Sequence, residues 1–437
     1  MIYILSFVLL FILVFVYRSF KTIIAPPVLV SFGMFLASVI ASIYYEEWEM
    51  YKLTFETFLI IGGGTTFFSF CCVLLNNRFT SKIKICPIVL HCSFFDCKRM
   101  IPFYVFVNAI TLFSSYAKYS YLKSFFGSYS LLELIAARHM DGHGESDALI
   151  VMPVIPRMAA SFSQVVCFVS VWCLALMLYS KEKNRYLLLL ICIHVTLVTF
   201  DMMLSGSKGS MITMPISFLT IMTFFHYSKI GKFYIKKSFF VLIFLFLMCS
   251  ATLFKGLSII VGRDVEDRDA IELLAGYSGA EIKNLDIYLH NHPDGQLSKD
   301  FGANTFYAWY KEIGIKTNRG VSDEYHEING FLLGNVSTMF YPYHVDFGIG
   351  GVFVMMILIS IVSMYAYLKS LKRISNPLNL NVYILLYSSI FSLSLFMAFF
   401  SSKITENVFR PGFLRMILYT VFIVWFFKKI LFKKQIR

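Results

Sequence analysis

The sequence predicts an all-α polytopic membrane protein, with about eleven transmembrane helices and one large external helical loop. Three observations lead there. Of 437 residues, 58% are hydrophobic and only 15% are charged, whereas a soluble globular protein carries about 25% charged residues. Mean hydropathy is +0.69. The apolar residues also come in long unbroken runs rather than the alternation of an outer-membrane barrel. The same composition excludes a disordered chain and a soluble enzyme.

Runs long enough to cross the hydrocarbon core fall at Ile2–Tyr17, Ile23–Tyr44, Phe55–Leu75, Ile101–Ala117, Ile155–Tyr179 and Tyr186–Leu204. They continue at Met211–Tyr227, Ser238–Val261, Gly348–Leu368, Leu380–Phe400 and Phe413–Phe427. The first run has no basic segment before it, and its charges, Arg18 and Lys21, follow it. It therefore reads as a retained span with an external N-terminus rather than as a cleaved signal peptide.

Loop charges support that orientation. Alternate loops hold Arg18 and Lys21; Arg78, Lys82, Lys84, Lys98 and Arg99; Lys181, Lys183 and Arg185; Lys229, Lys232, Lys236 and Lys237; and Lys369, Lys372 and Arg373. The tail adds Lys428, Lys429, Lys433, Lys434 and Arg437. The positive-inside rule puts these loops and the C-terminus in the cytoplasm and the N-terminus outside. The net charge of +13 conceals an asymmetry: Gly262–Phe347 holds 14 acidic and 7 basic residues, a net of −7, so the remainder carries +20. Basicity confined to short cytoplasmic loops marks orientation and contact with anionic membrane lipid, not nucleic acid.

Cys71, Cys72, Cys167, Cys173, Cys192 and Cys249 lie in apolar runs, and Cys86, Cys92 and Cys97 share one cytoplasmic loop, so no disulfide framework is implied. The set Cys86, His91, Cys92 and Cys97 fits no zinc-finger spacing, and the pair His139 and His143 lacks a third ligand. No metal and no cofactor is expected.

Gly262–Phe347 is the one polar stretch of domain-like length, and it divides the chain into residues 1–261, 262–347 and 348–437. A connection this long without disordered composition usually carries function. It reads as helices and turns. Ala280–Asn291 places Ile282, Leu285 and Leu289 near helical spacing; His290–Gly295 is a turn; Asn304 or Thr305 caps a second helix exposing Phe306, Trp309, Tyr310 and Ile313. That aromatic stripe suits a helix lying on the membrane surface and equally suits sugar stacking.

Several groups can carry chemistry. Ser205-Gly-Ser207-Lys208-Gly-Ser, between two spans, reads either as a tight interhelical turn or as a cup of backbone amides for an anion. Asp201 and His194 share roughly one face of the preceding span, where ionisable groups mark function or buried packing. Arg263 and Arg268 stand among acidic neighbours, and Arg319 stands in a Gly-rich turn before Glu324; arginine suits bidentate phosphate recognition. Near the ninth span Tyr341, His344 and Asp346 gather, and the last two suit acid/base work. Arg410 stands in the last external loop.

The Ser-Gly-Ser-Lys turn, Gly276–Ala280 followed by Asp286-Ile-Tyr-Leu, and the run Tyr341-Pro-Tyr-His-Val-Asp-Phe-Gly-Ile-Gly-Gly351 occur in this order. Together they resemble the oligosaccharide repeat-unit polymerases of bacteria, the Wzy-type O-antigen polymerases. An Arg-x10-Gly spacing reported in that family recurs at Arg268–Gly279 and Arg319–Gly330, while Lys208 stands where the family often has arginine. The resemblance implies a GT-C-like membrane glycosyltransferase of the inner membrane with its site facing the periplasm. It implies undecaprenyl-pyrophosphate-linked oligosaccharide as donor and acceptor, and a chain-length regulator and a flippase as neighbours in the membrane. In that scheme Arg268, Arg319 and Lys208 hold the departing pyrophosphate. His344 or Asp346, or else Glu324, takes the acceptor proton, and Ser205, Ser207, Arg263, Trp309, Tyr341 and Arg410 line the substrate. An O-antigen ligase would use similar parts, and a flippase or transporter would show internal repeats that this chain lacks.

Overall fold

A computed structural model of the chain describes residues 1–79, 95–127, 153–179, 184–204, 208–230, 269–292, 298–317, 325–373 and 380–431, with scattered positions near 130–137 and 255–259. Its membrane helices begin with α1 (Ile2–Phe20), α2 (Pro26–Ile43), α3 (Phe55–Phe79), α4 (Cys97–Phe126), α5 (Val154–Tyr179), α6 (Arg185–Met203) and α7 (Lys208–Ile230). The polar loop contributes α8 (Ala270–Gly276), α9 (Ala280–Asn291), α10 (Tyr307–Glu312), β1 (His326–Ile328) and β2 (Phe331–Gly334). The chain then continues through α11 (Phe340–Arg373), α12 (Val382–Phe399), α13 (Lys403–Val408) and α14 (Pro411–Phe426).

Eight of the described helices are long and apolar enough to cross a membrane, so the chain is an all-α multi-pass protein in its membrane part. Of the eleven expected runs, the seventh falls in α7, whose apolar stretch, Ile212–Tyr227, is shorter. The eighth, Ser238–Val261, lies almost wholly outside the described residues. The eleventh is α14, which continues into a π-helical turn at Phe427–Leu431. The expected ninth run begins late. Its helix starts at Phe340, and the backbone breaks at Gly348 with φ 68° and ψ −169°, a conformation only glycine holds without strain.

The residues form two compact units. The first comprises Met1–Lys84, Ile271–Lys372 and Ile390–Leu414, so the polar loop folds together with the first three helices. In α1, Ile2, Leu5, Leu9, Ile12, Val16 and Phe20 are buried, a stripe every three to four residues, while Phe7 and Phe11 on the other side are exposed. The helix ends at Lys21 in the left-handed region, where the Lys21 N–H donates to Tyr17 O. α2 opens on Pro26 and Pro27, residues suited to a first turn. It buries Ser31, Gly33, Ala37, Ser38 and Ala41, small residues that let backbones approach closely in lipid. Hydroxyl pairs Ser6–Ser42 (3.1 Å) and Ser31–Ser69 (3.3 Å) tie α2 to α1 and α3. Gly33 lies so close to α12 that a Cβ there would stand 2.4 Å from the Phe396 carbonyl oxygen.

The loop also holds a two-stranded antiparallel hairpin that helical reading of the sequence did not foresee. Its turn is Asn329-Gly330, both at positive φ (52° and 82°), as a tight two-residue hairpin turn requires. Asn329 Nδ2 donates to Glu47 O (3.0 Å), and the Phe331 ring meets Tyr44 edge-on. The hairpin is thereby fastened to the acidic turn after α2.

The second unit comprises Ile85–Ala270, Arg373–Ser389 and Arg415–Arg437, with α4, α5, α6 and α7 packed on one another. A buried polar stripe runs along α4. Tyr104 pairs with Ser170 (3.1 Å), Asn108 Oδ1 with His194 Nδ1 (3.2 Å), and Lys118 with Asp201 (2.5 Å). Ser114 and Ser115 also donate to Asp201 Oδ1. A buried carboxylate is tolerable only when its charge and lone pairs are met, and here three side chains meet them. His194 is wholly buried in this stripe.

Gly33→Val should destabilise the first unit by roughly 1–3 kcal/mol through overpacking, read as a lower temperature for loss of the monodisperse peak after heating in detergent. Gly63→Ala, whose added Cβ would meet nothing nearer than 3.6 Å, should leave that temperature unchanged or slightly raised.

Candidate active site

The site is built on α9. This helix is rich in polar residues, yet Glu281, Lys283, Asn284 and Asp286 are all buried along with Ile282, Leu285 and Leu289. Asp286, Lys283 and Asn284 are each anchored, although Asn284 Oδ1 has no partner among the described residues. Asp286 Oδ1 accepts from Thr54 N (2.8 Å), Thr54 Oγ1 (2.9 Å) and Thr57 Oγ1 (2.8 Å), at the start of α3. Lys283 Nζ donates to Glu49 O (3.2 Å) and lies 3.5 Å from Asp286 Oδ2. Asn284 Nδ2 donates to Leu333 O (3.1 Å) and Val336 O (2.8 Å) at the end of the hairpin. The N-terminus of α9 sits hard against α2: a Cβ on Gly279 would lie 2.8 Å from Ile40 Cγ2 and 3.1 Å from Ala37 O.

Held this way, α9 presents Tyr288 to the first turns of α11. The Tyr288 ring packs edge-on to Tyr341 (4.9 Å) and His344 (5.9 Å), with His292 one turn further along at 5.1 Å. The Tyr288 hydroxyl and His344 Nδ1 are buried and have no hydrogen-bond partner among the described residues. Burial pushes the Tyr288 hydroxyl up to about 12, with the Asp346 charge adding to the effect. Tyr288 is therefore a neutral donor across the physiological range. His344 itself is fixed from behind, because its neighbour Tyr343 is buried with its hydroxyl 3.5 Å from Thr405 Oγ1 on α13.

Glu281 is different. Its carboxyl is buried with neither oxygen bonded to another described residue, and burial pushes it well above the usual carboxylate range.

The expected site residues separate clearly. His344 and Tyr341 come together, and Tyr288 joins them. Asp346 does not face this cluster as an open carboxylate: it accepts from Ser298 Oγ (2.7 Å), Asn304 N (3.1 Å), Asn304 Nδ2 (2.9 Å) and Thr305 N (2.6 Å). So occupied, it fixes the turn before α10. That arrangement also corrects the expected cap, since Asn304 and Thr305 donate to Asp346 and α10 begins only at Tyr307 without a side-chain cap. Trp309 is exposed on α10, and Arg410 is exposed between α13 and α14. Lys208 opens α7, but its side chain lies outside the described residues, as do Ser205, Ser207, Arg263, Arg268, Arg319 and Glu324. The glycines of both Arg-x10-Gly pairs have backbone reasons of their own: Gly279 for contact with α2 and Gly330 for the hairpin turn.

Tyr288 and His292 were not foreseen. The signal for Tyr288 and His292 was present as an aromatic–imidazole pair at i, i+4 on one helix. Among the described residues there is no group of three or more His, Cys, Asp or Glu able to hold a metal ion. Compared with known families, curated proteins and solved structures, the chain matches none.

Asp346→Ala would strip the acceptor from four donors, of which the buried Thr305 N costs about 1–3 kcal/mol when left unmade. The expected result is rapid proteolytic cleavage within residues 298–306, with the membrane helices intact. Asp346→Asn, which keeps one acceptor oxygen, should show an intermediate rate.

Proposed function

We propose that this protein polymerises undecaprenyl-pyrophosphate-linked oligosaccharide repeat units into O-antigen or a related surface polysaccharide at the periplasmic face of the inner membrane. The supporting observation is the Tyr288–Tyr341–His344 cluster, an imidazole and a neutral phenol with unmet hydrogen-bonding atoms. It stands at the polar end of an apolar helix, beside the Gly348 break. A lipid-linked glycan brings its reacting sugar to this level, because its lipid lies in the bilayer and its diphosphate at the headgroups.

The reaction needs a base and an electrostatic clamp. The acceptor hydroxyl oxygen attacks the anomeric carbon of the donor sugar; that C–O bond forms as the bond to the diphosphate oxygen breaks. The hydroxyl proton passes to His344, and undecaprenyl diphosphate leaves. Tyr288 donates a hydrogen bond to a sugar oxygen, and Tyr341 supplies a ring face for stacking. In this scheme Arg319 neutralises the departing diphosphate, the electrostatic contribution that usually matters most, with Glu324 and Arg410 around the glycan. Asp346 is a positioning residue. The architecture that suits the scheme is GT-C-like, with eleven spans, the N-terminus outside and the C-terminus inside.

Removing a general base typically costs 10²–10⁴-fold, on the order of 3–6 kcal/mol of barrier. In a deletion strain complemented with His344→Ala or Arg319→Ala, the polysaccharide ladder should collapse to a single repeat on the core, with normal amounts of protein in the membrane. A normal ladder from either variant removes that residue from the site, and a deletion strain lacking even the single repeat would point to ligation instead.

A further inference from the structure

Downstream of Asp346's anchor the loop exposes an apolar surface that the proposed chemistry does not use. Phe301 is 75% exposed, Ile313 62%, Ile315 51% and Trp309 38%, and Tyr307 is exposed beside them. The surface is held rigidly. Ser298 N donates to Val345 O (2.9 Å), Tyr310 Oη donates to Phe301 O (2.7 Å), and the Phe301 ring packs on Phe347 at 5.1 Å. Phe347 directly precedes the Gly348 break, and beyond the break α11 exposes Ile349, Val354, Ile357, Leu358, Ile361 and Tyr365. That row is the helix's lipid face. The Phe347 contact is two residues in the chain from Ile349, the first exposed apolar residue beyond the break.

The chemistry of the surface fits the same level. Aliphatic Ile313 and Ile315 offer nothing to a sugar hydroxyl, whereas Trp and Tyr rings belong at the membrane–water boundary. Lys299, Lys311 and Lys316 are exposed around the patch, against Asp300 and Glu312, giving this stretch a net +1 in a loop that is otherwise strongly acidic. Lysines flanking an apolar face are the arrangement that meets phospholipid phosphates.

We infer that residues 299–316 form a foot that inserts into the headgroup layer of the bilayer, its apolar side chains among the upper acyl carbons and Lys311 and Lys316 on the phosphates of anionic phospholipid. The foot continues the lipid face of α11 sideways and holds the loop's edge against the membrane. It does not depend on the polymerase reading.

Tryptophan fluorescence tests this in vesicles of phosphatidylcholine and phosphatidylglycerol. The difference between the unmodified protein and Trp309→Phe isolates Trp309, an exposed position whose replacement leaves the fold unburdened. The difference emission should be blue-shifted, strongly quenched by phospholipid brominated near the glycerol end, weakly quenched by bromine at the chain terminus, and shielded from aqueous iodide. Lys311→Glu with Lys316→Glu should lose much of the bromine quenching in phosphatidylglycerol vesicles and little in pure phosphatidylcholine. Iodide quenching of Trp309 in vesicles as efficient as that of free N-acetyltryptophanamide, with no response to either brominated lipid, overturns the foot. A lysine pair whose replacement changes nothing overturns its contact with anionic headgroups.

Discussion

The first unit depends on a helix that should not, by composition, be buried. α9 carries Glu281, Lys283, Asn284 and Asp286 into the interior, and Asp286 alone collects three hydrogen bonds from Thr54 and Thr57. An isolated buried carboxylate costs several kcal/mol, so the helix can sit there only with those partners in place. That requirement works in both directions. It anchors the loop to the entry of α3, and it stops α9 from sliding or turning, because each shift would orphan a charge. Asn284 performs the same service toward the hairpin. Tyr288 inherits its position from these bonds, one turn further along a helix that cannot rotate.

The constraint separates residues that hold from residues with spare bonding capacity. Asp286 and Asp346 are both carboxylates near the cluster, and both are fully engaged. His344 and Tyr288 are buried as deeply but keep unmet atoms. Satisfied polar groups fix geometry, and unsatisfied ones in a fixed geometry are where a substrate's own donors and acceptors gain most. Two buried acid–base systems thus differ in character: the Lys118–Asp201 pair of the second unit is closed on itself, while the His344 cluster is open.

Much of the architecture was legible because bilayer physics writes it plainly. Long apolar runs gave the helices, and α9 was placed at Ala280–Asn291 from three apolar positions. The rest was hidden for definite reasons. The hairpin was announced by Asn329-Gly330, but its strands of three and four residues are too short for alternation to register. Lys118 seemed to lie just past the end of a span, yet α4 runs to Phe126, which brings it to Asp201. Asp346 looked like a base because sequence shows a carboxylate's identity and not its hydrogen bonds. Tyr288 was passed over because a lone tyrosine becomes chemical only when tertiary packing sets it beside a histidine.

The central claim is that α9 is a fixed, interior part of the protein rather than a solvated loop helix. Hydrogen–deuterium exchange of the full chain in nanodiscs measures this directly. Amides of residues 282–289 should exchange as slowly as those in the middle of α2, and Asp286→Ala should release them while leaving α2 protected. Exchange of 282–289 as fast as the exposed residues 311–316 in the unmodified protein would contradict the account.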